Sequence, residues 1–164
     1  MPIPEIQQPE VLPVDQDLRL RRFDGKFEFA FNWYQYEETV YLVDGARKKY
    51  SRELLEDMYT YLDRQGELYF IEVRTDHGFV PIGDVTFSRD DMPIVIGERA
   101  YRGKGIGRKV IRALVQRAKA LGYKKLHVHE IYSFNAASRR CFESLGFRAC
   151  EKTEKGDRFV CELV

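Results

Sequence analysis

Apolar residues recur along this chain with two different periods, and the change between them marks the elements. Ile106, Val110, Ile111, Leu114, Val115, Ala118 and Leu121 fall on one helical stripe, Arg108, Arg112, Arg117 and Lys119 fall off it, and Gly122 closes the run. The pattern predicts a long amphipathic helix. Elsewhere the period is two: Leu18 and Leu20 alternate with Arg19 and Arg21, so 17–22 reads as a half-buried strand. Strands are also predicted over 67–74 and 79–87, joined by Asp76-His77-Gly78, and a short apolar run over 93–96 meets Gly97. A helix opens at Ser51 as N-cap, with Glu53 in its first turn, and runs to Gln65 before Gly66. After the long helix come a strand over 125–131, a helix over 135–145 stopped by Gly146, and a closing strand over 159–164 behind a Lys155-Gly156-Asp157 turn.

Two stretches read less cleanly. Phe27, Phe29, Phe31 and Trp33 alternate as a strand would until Tyr34 and Tyr36 break the phase, so 23–50 is read as mixed. Residues 1–14 hold four of the six prolines (Pro2, Pro4, Pro9 and Pro13) and predict an extended arm without helix or central strand. With no repeats and no linker, the expected organisation is an N-terminal arm over 1–16 and a single domain over 17–164. Strands followed by strand, loop, helix, strand, helix and strand imply an α/β (α+β) fold with parallel neighbours around the long helix.

Composition narrows the class. No stretch approaches the roughly 18 apolar residues of a membrane span, and residues 1–20 lack the pattern of a secretory leader. Cys141, Cys150 and Cys161 are odd in number and widely spaced, which suits a reducing compartment, and a cytoplasmic location is expected. The net charge of +1 hides an asymmetry: residues 1–98 carry 11 Lys and Arg against 20 Asp and Glu, and residues 99–164 carry 16 against 6. The second part is suited to an anion, or to a plain solvated face.

The anion acquires a candidate site where a strand runs into Arg102-Gly103-Lys104-Gly105-Ile106-Gly107-Arg108 and then a helix. Glycines there bare backbone N–H groups at the positive end of a helix dipole, and Arg102, Lys104 and Arg108 add charge, which is the chemistry of a phosphate cradle. Gly-Lys-Ser/Thr of a P-loop is absent, and Arg108 stands where the dinucleotide fingerprint needs glycine, so neither a nucleoside triphosphate nor NAD is expected.

What remains is Arg102-x-x-Gly105-x-Gly107, followed by Asn135-Ala-Ala-Ser138 and Phe142-Glu143-Ser-Leu-Gly146-Phe147. In these motifs the chain resembles the GNAT superfamily of N-acetyltransferases over about 17–164, most specifically over 94–147. Ile94-Val95-Ile96-Gly97 is similar to the branch with ribosomal-protein, aminoglycoside and polyamine acetyltransferases. The resemblance implies a mixed, mostly antiparallel sheet with a central parallel pair splayed around the cofactor, and helices on both faces. It implies acetyl-CoA as cofactor, with pantetheine along Val95 and Ile96, pyrophosphate on Arg102, Gly103, Lys104, Gly105, Ile106, Gly107 and Arg108, and further contacts from Asn135 and Arg139. Asn135 reads equally as a helix N-cap alone.

The implied reaction is direct transfer to a neutral amine, which needs a base. Glu72, Asp84, Glu98 and Glu130 are the carboxylate candidates, with Asp84 and Glu98 preferred for catalysis, although a surface position is the plainer reading of each. Where many relatives place a tyrosine to protonate the leaving thiolate this chain has Phe142, which leaves Tyr132, Cys141 or water. His127 and His129 share a strand face without a third ligand, so no metal is expected.

Glu37, Glu38, Asp44, Glu53, Glu56 and Asp57 beside Trp33, Tyr34, Tyr36 and Tyr41 suggest a cationic acceptor, whether an aminoglycoside, a polyamine or a protein amino terminus. The same residues also read as a solvated helix face with core aromatics. No membrane partner is expected, nucleic acid is disfavoured for want of base-reading motifs, and a homodimer is compatible. The alternative from another class is a non-catalytic module that binds coenzyme A, or docks a basic face on nucleic acid or the ribosome.

Overall fold

The computed structural model describes residues 2–163. Those residues form two compact units, one of residues 2–86 with 94–102 and one of residues 87–93 with 103–163.

The first unit is built on a five-stranded sheet in the order β1-β2-β3-β4-β5. Its strands are β1 (Val11–Asp15), β2 (Leu18–Arg22), β3 (Glu67–Thr75), β4 (Gly78–Phe87, whose last residue groups with the other unit) and β5 (Ile94–Ile96). The β1–β2, β2–β3 and β4–β5 ladders are antiparallel, and residues 76 and 77 turn β3 into β4 ahead of Gly78 at φ 100°. The alternation in β2 resolves as read: Leu18 and Leu20 are buried, while Arg19 and Arg21 grip Glu72 of β3 at 2.8 and 2.7 Å. β1 lies within the proline-rich arm as an edge strand, where a residue without an N–H is tolerated, and its register shifts between Pro13 and Asp15.

The mixed segment folds as helix. A 3-10 helix (Glu28–Gln35) and α1 (Glu37–Asp44) replace the strand-like alternation of Phe27, Phe29, Phe31 and Trp33. Ala30, Trp33 and Tyr34 bury the i, i+3, i+4 face, so the decisive period was helical and the alternating phenylalanines masked it. α2 (Arg52–Gln65) begins as expected: the Leu54 N–H donates to Ser51 Oγ, a cap that contributes about 1 kcal/mol. Leu55 and Tyr59 of α2 join Phe27, Trp33, Tyr34, Val40, Tyr50, Leu68 and Phe70 in the core of this unit. Gly97, just past β5, lies against Trp33, where a Cβ would meet the indole Cγ at 2.2 Å.

The second unit holds α3 (Ile106–Ala120), β6 (Lys125–Tyr132), α4 (Ala136–Glu143), β7 (Arg148–Lys152) and β8 (Gly156–Glu162). Its antiparallel sheet runs β6-β8-β7. The stripe on α3 is the face that buries Val110, Ile111, Leu114, Val115 and Ala118. The turn expected over 155–157 lies earlier: the Thr153 N–H donates to the Gly156 carbonyl, and Gly156 begins β8 where a Cβ would strike the Ile131 carbonyl oxygen. β7 was not foreseen, since all five of its residues are exposed and no apolar face marks it. The two strands expected to run parallel, β5 and β6, each stand at an edge of their own sheet.

Candidate functional site

The loop between β5 and α3 takes the shape that its glycines allow. Gly103 and Gly105 have φ of 71° and 79°, the left-handed region, and a Cβ at either would meet nothing within 4 Å. Open space therefore lies where side chains would crowd a ligand. Gly105 is the N-cap of α3, so the first N–H groups of a 15-residue helix lie just beyond it without intrahelical acceptors. Lys104 and Arg108 are exposed beside them.

Arg102 turns elsewhere. Its Nε donates to the Ile96 carbonyl at 2.8 Å, its Nη2 to Thr39 Oγ1 at 2.6 Å, and its Nη1 lies 3.7 Å from Glu38. Burial holds its pKa below the usual range. The arginine thus braces β5 and α1. Val95 is half-buried against the core of the first unit, and Ile96 is half-buried beside it. In the second unit Asn135 caps α4, accepting the Ser138 N–H on Oδ1 at 3.2 Å. Arg139 donates to Asp157 Oδ2 at 2.9 Å and lies over the Phe159 ring, so its charge already has a partner.

The four carboxylates sort by environment. Glu72 is the buried partner of Arg19 and Arg21, an ion pair inside the sheet rather than a surface acid. Glu130 is half-buried and accepts the Lys155 N–H at 3.0 Å, and its bonds from Thr153 and Lys155 hold its pKa down, which disfavours a base. Glu98 is exposed and accepts the Trp33 indole N–H at 2.8 Å. Asp84 is 2 % exposed, so the surface reading is wrong for it. Tyr34 and Tyr59 both donate to its Oδ2, at 2.7 and 2.8 Å. Burial pushes the Asp84 carboxyl up to about 6, and the two phenol bonds pull against that rise.

Of the acid candidates, Tyr132 is half-buried and stacked on Phe134 with ring centroids 5.0 Å apart. Burial raises the Cys141 thiol, which disfavours a thiolate nucleophile. Phe142 is buried edge-on to Phe147 at 5.1 Å. Cys141, Cys150 and Cys161 are free thiols, and no described helix is long and apolar enough to cross a membrane.

The acidic, aromatic group of the first unit is already partly engaged from within. Trp33 and Tyr34 are buried, so their faces are closed to a ligand. Arg99 lies over the Tyr36 ring and pairs with Glu38 at 2.6 Å, Arg47 lies over Tyr41, and Arg52 lies 3.8 Å from Glu56. Asp44 accepts the Tyr50 hydroxyl. Glu37, Glu53 and Asp57 are exposed without an ion pair among the described residues.

The model of the acetyltransferase (GNAT) family matches residues 27–147, which contain the loop, α3, the Asn135 cap and Phe147. The chain belongs to the GNAT family. It is 38% identical over 79 residues to the uncharacterized protein MJ1062 of Methanocaldococcus jannaschii, and 38% over 48 residues to the uncharacterized N-acetyltransferase YycN of Bacillus subtilis. Those alignments cover 48% and 29% of this chain, and they span only 16% and 30% of the two relatives' lengths. Among solved structures, a domain from M. jannaschii superposes with a TM-score of 0.75 at 24% identity, covering 90% of this chain and 99% of that one. Spermidine N-acetyltransferase from Vibrio cholerae, solved with CoA and spermine, superposes at 0.70 and 18% identity, covering 91% and 97%. Aminoglycoside acetyltransferase AAC(6')-Ib, solved with Parmomycin and AcetylCoA, does so at 0.70 and 18%, covering 90% and 94%. At these identities the superpositions establish the GNAT fold.

Two residues that the GNAT reading of the sequence passed over are Tyr59, and the hydroxyl of Tyr34. Asp84 meets them from 25 and 50 residues away. The available signal was a carboxylate in phase with Val80 and Ile82, which demands buried donors without saying which.

Proposed function

We propose that this chain is an N-acetyltransferase that moves the acetyl group of acetyl-CoA to a primary amine by direct transfer. The observation that carries the proposal is the open left-handed loop at Gly103 and Gly105, set at the N-terminus of α3 in a GNAT-family chain. Backbone N–H groups from Gly103 to Arg108 would hold the pyrophosphate, with Lys104 and Arg108 supplying charge and Arg102 bracing the loop's entry. The edge strand β5 would take the pantetheine along Val95 and Ile96, where the Ile96 carbonyl already accepts from Arg102, and Asn135 and Arg139 would flank the cofactor.

When bound, acetyl-CoA supplies a thioester carbonyl carbon to which the amine nitrogen bonds while the carbon–sulfur bond breaks. The residues of the chain manage the protons. Asp84, its carboxyl pushed up to about 6 by burial, takes the proton of the incoming ammonium directly or through one water. Glu98, fixed by the Trp33 indole, offers a second, exposed carboxylate to the acceptor. Tyr132 or water returns a proton to the thiolate, a modest contribution because a free thiol already has a pKa near 8.5.

For the acceptor the reading is a cationic amine, of a small molecule or a protein amino terminus. Its support is the exposed Glu37, Glu53 and Asp57 and the way Arg99 sits between Tyr36 and Glu38, a ring and carboxylate arrangement that accepts a guanidinium. The test is release of free coenzyme A across a panel of cationic, neutral and anionic amines. Turnover greatest with a cationic amine, with a Michaelis constant that rises with ionic strength, is expected. Preference for a neutral or anionic amine would remove the cationic reading, and binding of coenzyme A without turnover on any amine would leave a non-catalytic module.

A further inference from the structure

Asp84 is a carboxylate with an asymmetric surround. Tyr34 from the 3-10 helix and Tyr59 from α2 converge on Oδ2 alone, at 2.7 and 2.8 Å, leaving Oδ1 as the oxygen open to a further donor. A core that needed only to neutralise a buried acid would do so more simply with a basic partner, as Glu72 does with Arg19 and Arg21 in the same sheet. Here both partners are neutral.

The phenols are themselves held in place. Tyr34 packs on Tyr50 with centroids 5.2 Å apart and meets Tyr59 edge-on at 6.4 Å. Tyr59 is enclosed by Phe23, Phe27 and Phe70 at 5.4, 5.7 and 5.7 Å. Both tyrosines are fully buried. Neither ring can swing away without opening the core of the first unit. Across the ladder Asp84 faces Val95 of β5, and no charged side chain contributes to its titration.

We propose that Tyr34 and Tyr59 are positioning residues of the acetyl transfer: they pin one oxygen of Asp84 so that the other faces the amine, and they keep the carboxylate ionised at neutral pH despite its burial. This rests on the assignment of Asp84 as the base. Both phenols stay protonated throughout, because burial and the neighbouring carboxylate raise their pKa values well above the ordinary tyrosine range. They therefore act only as donors, and they favour the charged form of Asp84 over the neutral one.

The experiment compares Tyr34→Phe, Tyr59→Phe and Asp84→Asn with the parent protein. Turnover is followed from pH 5 to 9 with one fixed amine, and the Asp84 carboxyl is titrated by carbon-13 NMR. Each phenylalanine keeps the ring and removes one donor. Its loss is expected to move the Asp84 titration, and the acid limb of kcat/KM with it, upward by about one pH unit. At pH 6 that is about a fivefold loss of activity, recovering towards the parent at pH 9. A loss equal at every pH, with the titration unmoved, would mean that the tyrosines only pack, and the proposal fails. If Tyr34→Phe does not fold, Tyr59→Phe gives the same readings through the NMR titration alone. Asp84→Asn separates the two levels: retention of parental turnover overturns the base assignment itself, whereas a loss of 100-fold or more with unshifted tyrosine variants overturns only the positioning role.

Discussion

Arg102 Nη2 donates to Thr39 Oγ1 at 2.6 Å, a bond that joins the first residue of the glycine-rich loop to a buried residue of α1. The arginine that sequence reasoning assigned to a phosphate is engaged within the first unit. Arg102→Ala is therefore expected to act on stability. It removes three polar contacts and leaves the buried Thr39 hydroxyl without its donor, a loss of about 1–3 kcal/mol and a fall of several degrees in Tm. The affinity for acetyl-CoA, measured by calorimetry, should fall less than in a Lys104→Ala and Arg108→Ala double variant. The reverse order would show that the Arg102 side chain turns to the cofactor.

Gly105 gives the sharpest test of the loop. Its φ of 79° is strained for any residue with a Cβ, at about 1–2 kcal/mol, and the open space beside it is where a ligand would lie. Gly105→Val should leave a folded protein whose Tm no longer rises with acetyl-CoA, whereas the parent's Tm rises and saturates. An undiminished rise in the variant would move the pyrophosphate away from this loop.

The elevated pKa of Asp84 also makes a statement about stability. Its folded value of about 6 exceeds the ordinary 3.8, so between these pH values the native chain binds a proton that the unfolded chain has lost. Stability from this group is therefore present below about pH 4 and is lost as pH rises through 6, a swing on the order of 3 kcal/mol. Asp84→Asn stays neutral throughout. Its Tm relative to the parent should increase from pH 4 to pH 8, even as turnover collapses; a difference independent of pH would show that the carboxyl titrates normally.

Phe142 occupies the position where many GNAT relatives carry a tyrosine. It is 2% exposed and edge-on to Phe147, so Phe142→Tyr would place a hydroxyl in packed core. The expected result is a Tm lower by several degrees, from about 1–3 kcal/mol of unpaired burial, with no gain in kcat. A variant as stable as the parent and faster would show that the position reaches the reacting thiolate.

What the sequence revealed and what it hid follow from the range of the interactions. α3, its buried stripe and the Ser51 cap were legible because they depend on neighbours within four residues, and the glycine loop was legible because backbone conformation is a local property. The helix over Glu28–Gln35 was obscured because alternating phenylalanines carried the wrong period while Ala30, Trp33 and Tyr34 carried the right one. β7 carries no apolar signal and exists through its ladder with β8. At the site, Asp84 could be named as a candidate. Its phenol partners could not, nor could the inward turn of Arg102, since both are contacts across 25 to 63 residues of chain.

The contact between Gly97 and Trp33 carries a consequence for how this sequence can drift. A methyl group at 97 would sit 2.2 Å from the indole Cγ and 2.3 Å from Cδ2, so position 97 cannot gain a side chain while the indole stands without displacing the end of β5. Descendants that keep the indole should keep the glycine. In an alignment of close homologues, the loss of tryptophan at 33 should then be the event that first admits alanine or serine at 97.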